Sequence, residues 1–70
     1  MMEQREKFSG KILFVYREKS QTLIGISDKR EGERKLCLEK IDLKIERGKT
    51  IEGEYNPKNM KIDSNTYVLH

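Results

Sequence analysis

A small all-β barrel of five antiparallel strands is the fold class this sequence predicts, and three observations predict it. β-Branched and aromatic residues gather in short runs, such as Ile12-Leu13-Phe14-Val15-Tyr16. Turn-forming and charged residues separate those runs, at residues 18–21, 28–33 and 56–59. Seventy residues are also too few for two packed sheets, so a single sheet must curl on itself to hide its edges.

The elements follow in order. Residues 9–17 read as a first strand, with Ile12, Phe14 and Tyr16 on one parity and Leu13 and Val15 on the other. Apolar residues on both parities suit a strand buried on both sides, or one with a bulge near Gly10. The polar stretch 18–21 turns the chain, and residues 22–27 return as the second strand of a hairpin. Gly25 inside that strand points to a bend or a close backbone approach. A charged loop over 28–33 precedes a third strand from Arg34 to Leu38. In residues 39–46, Ile41, Leu43 and Ile45 alternate as in a strand, whereas Leu38, Ile41 and Ile45 fit one face of a short helix. Strand or irregular extended chain is the preferred reading. Residues 50–55 alternate again, with Ile51, Gly53 and Tyr55 inward and Glu52 and Glu54 outward. Asn56-Pro57-Lys58-Asn59 is a turn, because Pro presets the backbone of its second position. Residues 60–62 and 66–69 form the last strand or strand pair, interrupted at 63–65. The predicted core is Ile12, Ile24, Ile26, Leu36, Leu38, Ile51, Tyr55 and Val68, joined by Phe14 as one of the bulkiest side chains.

The chain reads as one domain over residues 1–70, with 1–8 expected to be a mobile N-terminal segment. Hydrophobic residues make up 34% and charged residues 39%, near the border of disorder, but the apolar positions are patterned as in a folded chain. Cys37 is the single cysteine and His70 the single histidine, too few ligands for a structural zinc site and no basis for a disulfide framework. Cys37, between Leu36 and Leu38, reads as a small buried hydrophobe. The charged start of the chain leads into no signal-like apolar run, and nothing approaches the ~20 apolar residues of a membrane span. A cytoplasmic location is therefore expected, with no membrane partner and no cofactor.

Two segments carry a resemblance. Gly10-Lys11-Ile12-Leu13-Phe14-Val15, a loop, and then Leu23-Ile24-Gly25-Ile26-Ser27-Asp28 resemble the opening hairpin of OB-fold domains. The stretch from Ile45 through Gly48, Ile51 and Gly53 to Tyr55 is similar to the fourth strand of that fold, and residues 60–69 would be the fifth. SH3-like barrels share the glycines and the alternation, and remain the alternative. The OB resemblance implies that the usual helix between strands three and four is missing or reduced to a turn in 39–46. It also implies a ligand face on strands two and three, between the first and last hairpin loops.

Net charge is +3, with the excess in residues 1–20 and 35–49, which permits a polyanion partner. Single-strand binding needs cations for phosphates and exposed aromatics for bases. The candidate residues are Lys11, Tyr16, Arg17, Lys19, Lys35 and Lys58, with Arg17, Lys19, Lys35 and Lys58 expected to line one surface. Tyr16 is balanced between stacking and packing, and Tyr67 reads as packing. Catalysis is not expected: the five glycines are scattered, the histidine ends the chain, and Glu52 and Glu54 lie on an outward strand face. Two functions remain: a module for single-stranded DNA or RNA, and a protein-binding adaptor, subunit or inhibitor of a larger assembly.

Overall fold

The computed structural model describes residues 4–70. Its strands are β1 (Glu6–Glu18), β2 (Gln21–Asp28), β3 (Gly32–Leu38), β4 (Thr50–Asn56), β5 (Lys61–Ile62) and β6 (Val68–Leu69). They join in the order β1-β2-β3-β5-β4-β6, and β1 also pairs with β4, which closes a barrel of five strands. No helix among the described residues is long and apolar enough to cross a membrane.

The long first strand makes closure possible. Its first half, from Glu6 to Lys11, pairs antiparallel with β4, and its second half, from Lys11 to Glu18, pairs antiparallel with β2. Lys11 sits at the junction, opposite both Thr50 and Ser27. The preceding residue must be glycine, because a Cβ at Gly10 would lie 2.5 Å from the Ser27 carbonyl oxygen. Contrary to the antiparallel expectation, the barrel is mixed. β4 lies between β1 and β5, so β5 meets β3 in parallel, with Cys37 opposite Lys61. Of the N-terminal segment 1–8, residues 1–3 lie outside the described residues, while Glu6–Phe8 open β1 and Phe8 is buried.

The core comprises Phe8, Ile12, Ile24, Ile26, Leu36, Leu38, Ile45, Ile51, Tyr55 and Ile62. Phe8 packs edge-on against Tyr55, with ring centroids 6.0 Å apart. Two predicted core residues are exposed instead. A register shift between Ile12 and Phe14 places a bulge at Leu13. Past the bulge Val15 packs on the core while Phe14 and Tyr16 face outward. Val68 is 50% exposed for a similar reason. Residues 63–67 bulge out between β5 and β6, and β4 resumes its pairing with Leu69 opposite Ile51 and Val68 opposite Glu52. Leu69 thus takes the inward position. Cys37 is also only half-buried, on the outward parity of β3.

Residues 39–49 form neither strand nor helix. Ile45 is buried in the core, whereas Leu43 is 74% exposed. Main-chain bonds from Gly48 N to Ile12 O and from Ile12 N to Lys49 O, both 2.8 Å, tie this loop to β1. Thr22 Oγ1 donates to Lys40 O (2.8 Å), and Tyr67 donates its phenol proton to Asp42 Oδ2.

That last bond makes the loop's attachment sensitive to pH. Burial first, and then the Asp42 carboxylate, push the Tyr67 phenol up to about 12. Asp42 is held below its ordinary value of 3.8 by the Tyr67 hydrogen bond, then by the Lys44 N–H, with Lys40 and Lys44 adding favourable charge. A raised tyrosine pKa stabilises the fold fully below its ordinary value of 10.0 and loses that contribution as pH rises through the folded value. The depressed Asp42 acts in the opposite window, contributing above 3.8 and losing its contribution as pH falls. Melting temperatures measured against pH should therefore fall more steeply for the parent protein than for Tyr67→Phe, both on acidification below 3.8 and between 10.0 and about 12. Parallel curves would show that neither burial nor the Asp42 bond raises the Tyr67 phenol in the folded chain.

Candidate functional site

The outward face of β1, β2 and β3 is the most distinctive surface of the barrel. Two cross-strand rows define it. Tyr16, Leu23, Cys37 and Lys61 lie opposite one another in sequence across four strands, and Phe14, Gly25 and Lys35 form the neighbouring row. Residues opposite one another in adjacent strands project from the same face. Phe14 is 43% exposed, Tyr16 56% and Leu23 38%, so the rows present an apolar, partly aromatic strip. Gly25 sets the position of the Phe14 ring. A Cβ there would lie 2.0 Å from Phe14 Cε2, so the ring rests directly on the glycine backbone.

A cavity of about 410 Å³ opens beside this ring, lined by Leu13, Phe14, Gly25, Glu33, Arg34, Lys35 and Met60. Met60 comes from the β4–β5 turn, where Met60 N bonds to Asn56 O (2.8 Å) and Cys37 N bonds to Met60 O (2.9 Å). This turn therefore forms one border of the face. The Arg34 guanidinium lies 4.5 Å over the Tyr55 ring and donates to its hydroxyl, which in turn donates to Glu6 Oε2 (2.9 Å). Asp28 and Glu31 pair with Arg34 at 3.7 and 3.3 Å. Its charge is thus already met by carboxylates, and Arg34 serves as a wall rather than as a spare cation. Lys61 pairs with Glu39, and this hydrogen bond raises its pKa and keeps the ammonium charged.

The structure distributes the six candidate residues over several places. Tyr16 and Lys35 lie on the strip. Lys58 is in the bordering β4–β5 turn, exposed, with its N–H bonded to Asn56 Oδ1 at 2.9 Å. Lys19 is in the β1–β2 turn with φ 55, a left-handed conformation. Arg17 points away from the strip, on the opposite parity from Tyr16. Its guanidinium donates to Ile45 O (2.5 Å) and Asp42 O (3.2 Å) and so pins the 39–49 loop. Arg17 therefore does not share a surface with Lys35, contrary to expectation. Lys11 lines a different, open groove of about 1050 Å³, where Lys7, Lys29 and Arg30 face Glu52 and Glu54. Four cations, Lys7, Lys11, Lys29 and Arg30, share that groove with three carboxylates, Asp28, Glu52 and Glu54, so its field favours no single sign of ligand strongly.

Sequence reasoning missed Leu23 and Met60 and assigned Phe14 to the core. The available signal was Gly25. A glycine inside a strand marks a close approach, and the approaching group is the Phe14 ring. Among the described residues no group of three or more His, Cys, Asp or Glu side chains could hold a metal ion. His70 pairs with Glu52 at 2.9 Å on the outside of β4. No family model, curated protein or solved structure matches this chain.

Proposed function

We propose that this chain is an OB-fold module that binds single-stranded DNA or RNA on the outward face of β1–β2–β3. The observation that carries this reading is the pair Phe14 and Tyr16, two exposed rings on one face of one strand. A folded domain of this size gains stability by burying such rings, and leaving both on one strip suits ligands with flat π-faces. Lys35, Lys58 and Lys61 stand on or beside the strip, where a phosphate backbone passing over stacked bases would need cations. The face also lies between the β1–β2 and β4–β5 turns, the usual ligand position in this fold.

Binding carried by these lysines should weaken with salt. A labelled single strand of about 10 nucleotides should bind more tightly at low than at physiological salt, and three phosphate contacts give a slope of roughly −2 in log affinity against log salt. Lys35→Ala should reduce that slope by about 0.7. A salt-independent affinity, or none even at low salt, would count against the reading.

A protein-binding adaptor, subunit or inhibitor is the second reading. One observation favours it: Ile41 and Leu43 are exposed apolar residues of the 39–49 loop. Recovery of the native protein in a stoichiometric complex, lost on Leu43→Ser and retained on Tyr16→Ala, would support it.

A further inference from the structure

The cavity beside Phe14 holds a feature that phosphate binding does not explain. Glu33 and Lys35 both line it, two residues apart on the outward parity of β3, so their Cα atoms are about 7 Å apart. Both are exposed, and neither side chain has a hydrogen bond or ion pair among the described residues. Every other charged side chain beside this cavity or in the adjoining Lys61 row is engaged: Arg34 with Tyr55, Asp28 and Glu31, and Lys61 with Glu39. A free carboxylate on a face that attracts phosphates lowers affinity unless hydrogen-bond donors of the ligand meet it. Phosphates and sugars offer no pair of adjacent N–H donors; base edges do.

We infer that this cavity is a base pocket selective for guanine, an inference that rests on the single-strand reading above. A carboxylate has two oxygens and can accept two parallel hydrogen bonds. Guanine alone among the common bases presents two neighbouring donors, N1–H and the N2 amino group, with an acceptor, O6, beside them. Glu33 accepts from N1–H and N2–H, and the ring stacks on Phe14 with Met60 at the border. Cytosine and adenine set a ring nitrogen lone pair beside their single amino group, and this lone pair would face the second carboxylate oxygen. Uracil and thymine flank one N–H with two carbonyls, which repel it on both sides. The volume of about 410 Å³ lies within the usual range for small-ligand sites, about 300–1,000 Å³.

The test uses the full chain and two strands of equal length, one of thymines only and one with a single central guanine. The guanine strand should bind roughly 5- to 100-fold more tightly, the range expected for one bidentate base contact. Replacing that guanine by hypoxanthine, which lacks the N2 amino group, should forfeit part of the gain. Glu33→Gln should abolish the preference, while its affinity for the thymine strand rises because a negative charge leaves the face. Glu33 is exposed and unbonded, so the variant is expected to fold, and an unchanged circular dichroism spectrum checks this. Equal affinity of the parent protein for both strands overturns the guanine pocket and leaves the single-strand reading standing. A preference that survives in Glu33→Gln overturns it as well. No binding to either strand at low salt removes both together.

Discussion

Replacing Ile51 by alanine is expected to lower the unfolding free energy by about 2–5 kcal/mol. Ile51 is fully buried, and its strand position is fixed from both sides, opposite Gly10 on β1 and Leu69 on β6. Removing its outer carbons leaves a void whose walls belong to a closed barrel. β4 is held by β1 on one edge and by β5 and β6 on the other, so little inward collapse can offset the lost contacts. Against a typical total of about 5–15 kcal/mol for a small domain, the loss is severe. Urea denaturation followed by circular dichroism should show a large drop in midpoint. Val68→Ala provides the contrast: Val68 neighbours the residue opposite Ile51 but faces solvent, and its loss should be worth about 0.5 kcal/mol or less. Equal effects at the two positions would contradict the inward and outward parities assigned to β4 and β6.

Legibility of the fold from sequence depended on whether a feature is local. The β1–β2 and β4–β5 turns, the charged 28–33 loop and the inward set Ile24, Ile26, Leu36, Leu38, Ile51 and Tyr55 all follow from turn chemistry and period-two alternation, and the structure has them there. The interruption at 63–65 was legible too, as polar residues inside an apolar run. Features set by pairing with distant strands were harder. The bulge at Leu13 is a register shift within the β1–β2 pairing, and no residue in 12–16 announces which of its two apolar parities stays inside. Phe14 was therefore placed in the core and Val68 with it, each on the wrong side of a register shift. Arg17 failed for a related reason. Its partners are main-chain carbonyls in the 39–49 loop, and only the folded barrel brings that loop to β1.

The candidate site was half legible. Tyr16, Lys35 and Lys58 were identifiable as an aromatic and two cations near predicted turns. Their assembly with Phe14 into one strip required the observed register, which sets Phe14 over Gly25 and Tyr16 opposite Leu23. Lys11 and Lys19 carry charge in plausible places, but β1 presents Lys11 to the mixed-charge groove, and Lys19 sits in the β1–β2 turn with a left-handed backbone.

The second large effect concerns the strip itself. Base–aromatic stacking contributes about 1–3 kcal/mol per base, so removing both rings should weaken binding by about 2–6 kcal/mol if each carries a base. Phe14 and Tyr16 are about half exposed, and neither belongs to the buried core cluster, so their loss should leave the barrel folded. Single-strand affinity of the Phe14→Ala/Tyr16→Ala double variant, measured at low salt beside the parent protein, tests the central claim most directly. With the circular dichroism spectrum unchanged, binding of the variant should fall at least tenfold while its salt slope persists, since the lysines remain. An affinity equal to that of the parent protein would mean that nucleic acid, if bound, lies elsewhere, and would contradict the assignment of this face.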